Sequence, residues 1–92
     1  MLTFVLLARI PTAGIIAFNN YEDQVLPLLK QHGGKLERRL RNADGSVEVH
    51  IVAFPSDAAF QDYRNDPRRQ LSVPLLEASE AALEFIEVAD VI

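Results

Sequence analysis

Gly33-Gly34, the stretch Lys35 to Arg41, an Asp44-Gly45 turn and the run Val47 to Phe54 constrain this chain more than anything else in it. Asp-Gly between two strand-like runs is the strongest short-range hairpin signal. This hairpin stands in mid-sequence, entered from a helix that stops at a double glycine and left through Ser56, a helix N-cap. An apolar run lies near each end, Leu2 to Ala8 and Leu83 to Ala89. The order is therefore β-α-β-β-α-β. That order predicts an α+β, ferredoxin-like fold with an antiparallel sheet.

Symmetry about the turn sets the expected register. Ala43 pairs with Ser46, Arg41 with Glu48, Arg39 with His50 and Glu37 with Val52. On the other face Leu40 meets Val49, Arg38 meets Ile51 and Leu36 meets Ala53. One face is thus polar with Val52 and Phe54 at its far end, and the other is apolar except for Arg38. The apolar face is expected to lie against the helices. A one-residue slip would exchange all of these assignments.

The remaining elements follow from periodicity and punctuation. Residues 2–10 read as a strand, apolar at both parities and so covered on both faces. Residues 15–32 read as a helix with Phe18, Tyr21, Val25, Leu28 and Leu29 on one side. Pro27 should kink or break it, because it lacks an N–H and crowds the carbonyl four residues back. Ser56 starts a second helix bearing Ala59, Phe60 and Tyr63. Asp66-Pro67 restarts it as N-cap and first helical residue. Pro74 punctuates again, residues 75–82 are helix-like, and a closing strand runs from Leu83 to Ala89.

At 92 residues the expectation is one domain, residues 1–92. Such a chain buries roughly 60–65% of its unfolded surface, which makes association attractive. The strand expected to be apolar on both faces needs a second layer of cover, so a homodimer is expected. The net charge of -4 argues against nucleic acid as a partner, since phosphate-binding domains are usually basic. With no cysteine there is no disulfide, thiolate nucleophile or zinc-thiolate site. No apolar run approaches the ~20 residues that span a bilayer. Arg9 comes too early for a signal-peptide core. These points lead to an expectation of a cytoplasmic protein with no membrane partner.

The segments Tyr21-Glu22, Leu26-Pro27, His32-Gly33-Gly34-Lys35-Leu36-Glu37 and Phe54-Pro55-Ser56, followed by Ala58-Ala59-Phe60 and Tyr63, resemble the dimeric α+β barrel superfamily. Within it the chain is most similar to the DUF-1330 family and to small antibiotic-biosynthesis-monooxygenase-like domains. The resemblance runs from about Phe18 to Val88. It implies a ferredoxin-like protomer whose sheet pairs with that of a second copy. It also implies a range of roles, from oxygenases without a cofactor to isomerases and haem-degrading enzymes. The chain departs from the pattern at Leu75-Leu76-Glu77, where a Leu-Arg pair is expected, and in having no tryptophan.

Five residues are candidates for contacting a small, largely apolar ligand: Tyr21, Arg38, His50, Phe60 and Tyr63. His50, beside Arg39, suits a base or proton shuttle, or else a hydrogen-bonded interface histidine. Arg38 reads as a clamp on an anion or carbonyl, or as an edge-strand arginine reaching solvent. Tyr21 and Tyr63 either donate into a pocket or pack in the core with their hydroxyls at its edge. The pocket is placed between sheet and helices, near Arg38, Tyr21 and Tyr63. His32 reads as a helix C-terminal cation, and Arg64, Arg68 and Arg69 as a solvated face with local ion pairs. No metal is expected, because His32 and His50 lack ligand spacing, and the expected chemistry uses no cofactor. The chemistry expected is monooxygenase- or isomerase-like. The alternative is a ligand-binding or dimerisation module without turnover.

Overall fold

A computed structural model describes every residue, Met1–Ile92. Four strands, β1 (Leu2–Arg9), β2 (Lys35–Arg41), β3 (Val47–Phe54) and β4 (Ala82–Val88), form one antiparallel sheet in the order β2-β3-β1-β4. Three helices, α1 (Ile15–Val25), α2 (Asp57–Arg64) and α3 (Pro67–Ser79), cover one side of it. This is a ferredoxin-like α+β fold.

The sequence signals act where expected. The helix begun at Ile15 gives way at Leu26 to a 3-10 stretch, Leu26–His32, with Pro27 in its first turn. Gly33 ends that stretch with φ 72°, a left-handed conformation that suits glycine. Ser56 Oγ accepts the Ala59 N–H at 3.1 Å, capping α2. Asp66 Oδ1 caps α3 by accepting from the Arg68 N–H at 2.8 Å. Pro74, expected to interrupt, lies inside α3. It sits on the exposed side of that helix, where water can serve the carbonyl that proline leaves unpaired. Glu80, with φ 57°, ends the helix. The closing strand accordingly starts at Ala82, and the helix-like reading of 80–82 is corrected.

The hairpin register is Arg41–Glu48, Leu40–Val49, Arg39–His50 and Arg38–Ile51, as the turn dictates. Beyond it a bulge leaves Glu37 unpaired, so Leu36 meets Val52 and Lys35 meets Ala53. The expected pairs Glu37–Val52 and Leu36–Ala53 are therefore displaced by one residue. The bulge turns Leu36 from the Arg38 side of the sheet to the helix side, where it packs on the core.

The two faces also exchange roles. The helices cover the face holding Glu48, His50, Val52 and Phe54, all buried. The apolar face of Val5, Leu7, Leu40, Val49, Ile51 and Ile86 lies on the other side, uncovered. A polar face can be buried here because its charges pair with one another; alternation alone does not reveal that.

The core is divided. One cluster gathers Phe4, Leu28, Leu29, Val52, Phe54, Phe60 and Tyr63, and a smaller one joins Ala8, Ile10 and Phe18. Between the Phe4 and Ala8 rungs of β1 lies the rung Phe85–Leu6–His50–Arg39.

Candidate functional site

A cavity of about 520 Å³ occupies this gap. Leu6, His50, Val52, Phe54, Leu83 and Phe85 form its floor on the sheet. Tyr21, Glu22, Val25, Leu26 and Leu29 line it from the first helical segment, and Phe60, Tyr63, Arg64 and Arg69 from α2 and α3. Leu83, Phe85 and Arg64, the exposed members, mark its mouth. Phe85 stacks on Phe60 with centroids 5.4 Å apart and planes within 6°, and on Phe4 at 4.8 Å. An aromatic wall thus runs from core to mouth.

Four of the five candidates from sequence, Tyr21, His50, Phe60 and Tyr63, line this one cavity. Arg38 does not. It pairs with Ile51 on the uncovered side of the sheet and is exposed. A pocket clamped by Arg38 is corrected accordingly: the side with the helices is the one bearing Arg39.

The polar end is a line of three buried groups. Glu48, 1% exposed, accepts from Arg39 Nε through Oε1, and from Arg41 Nε and Nη2 through Oε2 at 3.1 and 3.0 Å. The same Oε1 lies 2.7 Å from His50 Nε2. Burial alone would raise the Glu48 carboxyl, but these hydrogen bonds outweigh it and hold the carboxyl below its ordinary value. Burial pushes the His50 imidazole down against the opposing pull of Glu48. His50 is then neutral at pH 7, its Nε2–H donating to Glu48 and its Nδ1 lone pair free. Nδ1 lies 3.9 Å from Glu22 Oε2. Glu22 is 3% exposed, and burial, helped by the nearby charge of Glu48, pushes its carboxyl up to about 7.

The two carboxylates therefore differ in kind. Glu48 is a fixed anion that orients the imidazole. Glu22 is poised between its two protonation states at neutral pH, inside an apolar cavity and within a short move of a free imidazole nitrogen. The ring stands between the carboxylates, so the three groups do not converge on one point. No cluster of three or more His, Asp or Glu is arranged to hold a metal ion.

Sequence reasoning missed Glu22 and Arg69. Glu22 occupies an apolar-stripe position, between Phe18 and Tyr21 on one side and Val25 on the other, all buried. A carboxylate at such a position is the signal that could have found it. Arg68 does pair with Asp66, at 2.7 Å, as the reading of a local ion pair expects. Arg69, the next residue, turns inward: its Nη2 donates to the Tyr21 hydroxyl at 3.1 Å, and its guanidinium lies 4.5 Å from the centre of the Tyr63 ring. Burial pushes the Tyr63 phenol up to about 12, so it stays a neutral donor. Its hydroxyl donates to the Val25 carbonyl at 3.5 Å.

No family model matches the chain, and no curated protein matches it. Solved structures do. SnoaB, a cofactor-independent oxygenase from Streptomyces nogalater, superposes with a TM-score of 0.79 at 19% identity, covering 97% of this chain and 91% of that one. A candidate antibiotic biosynthesis monooxygenase from Nitrosomonas europaea gives 0.80 at 12% identity, with full coverage of both. An uncharacterized NIPSNAP domain protein from Burkholderia xenovorans gives 0.74 at 18%, covering 98% and 94%. The chain shares the ferredoxin-like α+β fold of these proteins. Identities this low concern the backbone, and what the fold carries must be argued from the residues. No helix is long and apolar enough to cross a membrane.

Proposed function

We propose that this monooxygenase-like domain binds a small, largely apolar molecule in the cavity and moves a proton on it, without a bound cofactor. The observation behind this reading is Glu22: a buried carboxyl near 7, lining an apolar cavity beside a neutral histidine. A general base works best when its pKa lies near the operating pH. Glu22 takes a proton from a carbon next to an electron-withdrawing group. The C–H bond breaks, and its electron pair spreads into that group. His50 Nδ1 relays or shares the proton, and Glu48, gripped by Arg39 and Arg41, holds the imidazole in the tautomer that leaves Nδ1 open. Returning the proton to another carbon isomerises the ligand. If dioxygen instead adds to the carbanion, a C–O bond forms and Glu22 returns its proton to the distal oxygen, giving a hydroperoxide. The fold shared with a cofactor-independent oxygenase supports the second outcome.

The test is exchange of a carbon acid in D2O. 2-Tetralone, an apolar bicyclic ketone, should exchange its benzylic C1 hydrogens faster with the protein than in buffer, read by proton NMR. The protein-dependent rate should rise with pH and reach half its maximum near 7, because the carboxylate form is the base. Glu22→Gln should abolish it. Saturable binding with no added exchange would instead make the domain a binding module without turnover.

We also propose that two copies pair through the uncovered sheet face. Leu40, Ile86 and Val88 are 39%, 49% and 38% exposed there, contiguous with Val5, Leu7, Val49 and Ile51. Burying such a face returns about 25 cal/mol per Å², and no helix of the chain is available to do it.

A further inference from the structure

One wall of the cavity is strapped in place from outside. The 3-10 stretch Leu26–His32 gives Leu26 and Leu29 to the lining, while Pro27, Lys30 and Gln31 on its outer side are exposed. At its end His32 Nε2 donates to Asp66 Oδ2 at 2.8 Å, and Gln31 Oε1 accepts from Arg68 Nη1 at 2.8 Å. Both bonds cross to the junction of α2 and α3, whose Phe60 and Tyr63 line the cavity from the facing side. The two jaws of this clasp are unequal. Asp66 is 6% exposed, yet it does not depend on His32. Its Oδ1 accepts from the Arg68 N–H and Nε at 2.8 and 3.1 Å, and its Oδ2 from Arg68 Nη2 at 2.7 Å. Withdrawing His32 therefore strands no buried charge, and water can take up the bonds that the partly open His32 and the exposed Gln31 give up. Little else is polar along this seam: the Tyr63 hydroxyl reaches the Val25 carbonyl at 3.5 Å. The stretch is also weak within itself. Hydrogen bonds of 3-10 geometry are poor, and Pro27 has no N–H to give. Burial of Leu28 and Leu29 keeps it shut most of the time, so opening is a minor state.

We infer that Leu26–His32 is a hinged panel in the cavity wall, and that the clasp of His32 and Gln31 on Asp66 and Arg68 sets how often it opens. The joint is Gly33, where the stretch turns into β2. The mouth at Leu83 and Phe85 belongs to β4, and β2 and β4 are opposite edges of the sheet. An open panel thus gives the cavity a second entrance, away from the first. The inference concerns passage into the cavity and not the chemistry proposed there, and its test uses no ligand.

Native-state hydrogen exchange followed by NMR reads the panel through the Gly33 and Gly34 amides, which donate to the Lys30 and Leu29 carbonyls. In the wild-type protein both should exchange faster than the amides of β1 and β3, and with a smaller dependence on urea, as a local opening does. His32→Ala should speed both about fivefold, the size of one lost hydrogen bond. His32→Gln, which keeps a donor, should recover most of the protection. Because the chain has no cysteine, Leu29→Cys places a single thiol on the inner side of the panel. Its labelling by a bulky disulfide reagent should quicken by the same factor when His32→Ala is added. Should His32→Ala not fold, Gln31→Ala, which cuts the outer bond alone, should produce the same changes at smaller size. Equal exchange and equal urea dependence for the two glycines and the strands would mean that the stretch opens only with the whole molecule, and would overturn the panel. Glycine amides that ignore the loss of His32 overturn the clasp. Faster amides with an unmoved thiol overturn the second entrance.

Discussion

At the scale of the residue, the molecule turns on two glutamates with opposite fates. A carboxyl moved from 4.5 to about 7 makes folding weaker as pH rises between those values, because the unfolded chain ionises first. Glu22→Gln should therefore stabilise the protein at pH 8 by up to about 3 kcal/mol and leave it unchanged at pH 4, measured by urea unfolding at both. Glu48 works in the other direction. Its lowered carboxyl lends stability that is present above its ordinary value and lost on acidification. Glu48→Ala should cost about 2–3 kcal/mol at pH 7, less than the ~3–5 of a fully buried pair, because Arg39 and Arg41 are 32% and 43% exposed and can rehydrate. Much of this was legible in outline. The Asp44-Gly45 turn alone placed Arg39 against His50 and Arg41 against Glu48. The burial of those pairs was not, because it depends on which sheet face the helices choose. Glu22 and Arg69 were hidden for a related reason: a charged residue in a stripe or a basic cluster looks solvated until a neighbouring element encloses it.

At the scale of the element, close approach decides more than propensity. Gly14 stands at the start of α1 where any Cβ would lie 1.9 Å from the Ser79 carbonyl oxygen, at the end of α3. Gly14→Ala must push the two helices apart and should cost at least the ~1–3 kcal/mol of ordinary overpacking, read as a fall in the urea midpoint. Gly34→Ala meets the Phe54 ring at 2.8 Å and should disturb the core beneath the hairpin. The helix boundaries at Ser56, Asp66 and Gly33 could be read because each rests on local chemistry. The bulge at Glu37 could not, since it is a compromise between the turn's register and the core's demand for Leu36. Pro74 misled because its helix continues through it on the solvent side.

At the scale of the whole molecule, one sheet face is covered and the other is not. Light scattering after size exclusion should return about twice 10.3 kDa. Ile51→Arg, placed on the uncovered face and away from the cavity, should return a folded species of 10.3 kDa. A monomeric wild-type protein at micromolar concentration would defeat the pairing. The antiparallel order was legible from the chain because a mid-sequence hairpin between helices leaves few ways to join the outer runs.

The strand order has a further effect, on the course of folding. β1 lies in the interior of the sheet, yet its partners β3 and β4 come far later in the chain. Only β2 and β3 find each other locally. The hairpin is thus the natural nucleus, and β1 waits, unpaired on both edges, until distant segments return to it. Contacts of such range slow folding. Until Phe85 docks on Phe60 and Phe4, the cavity has neither wall nor mouth, so the site is completed with the last strand to join.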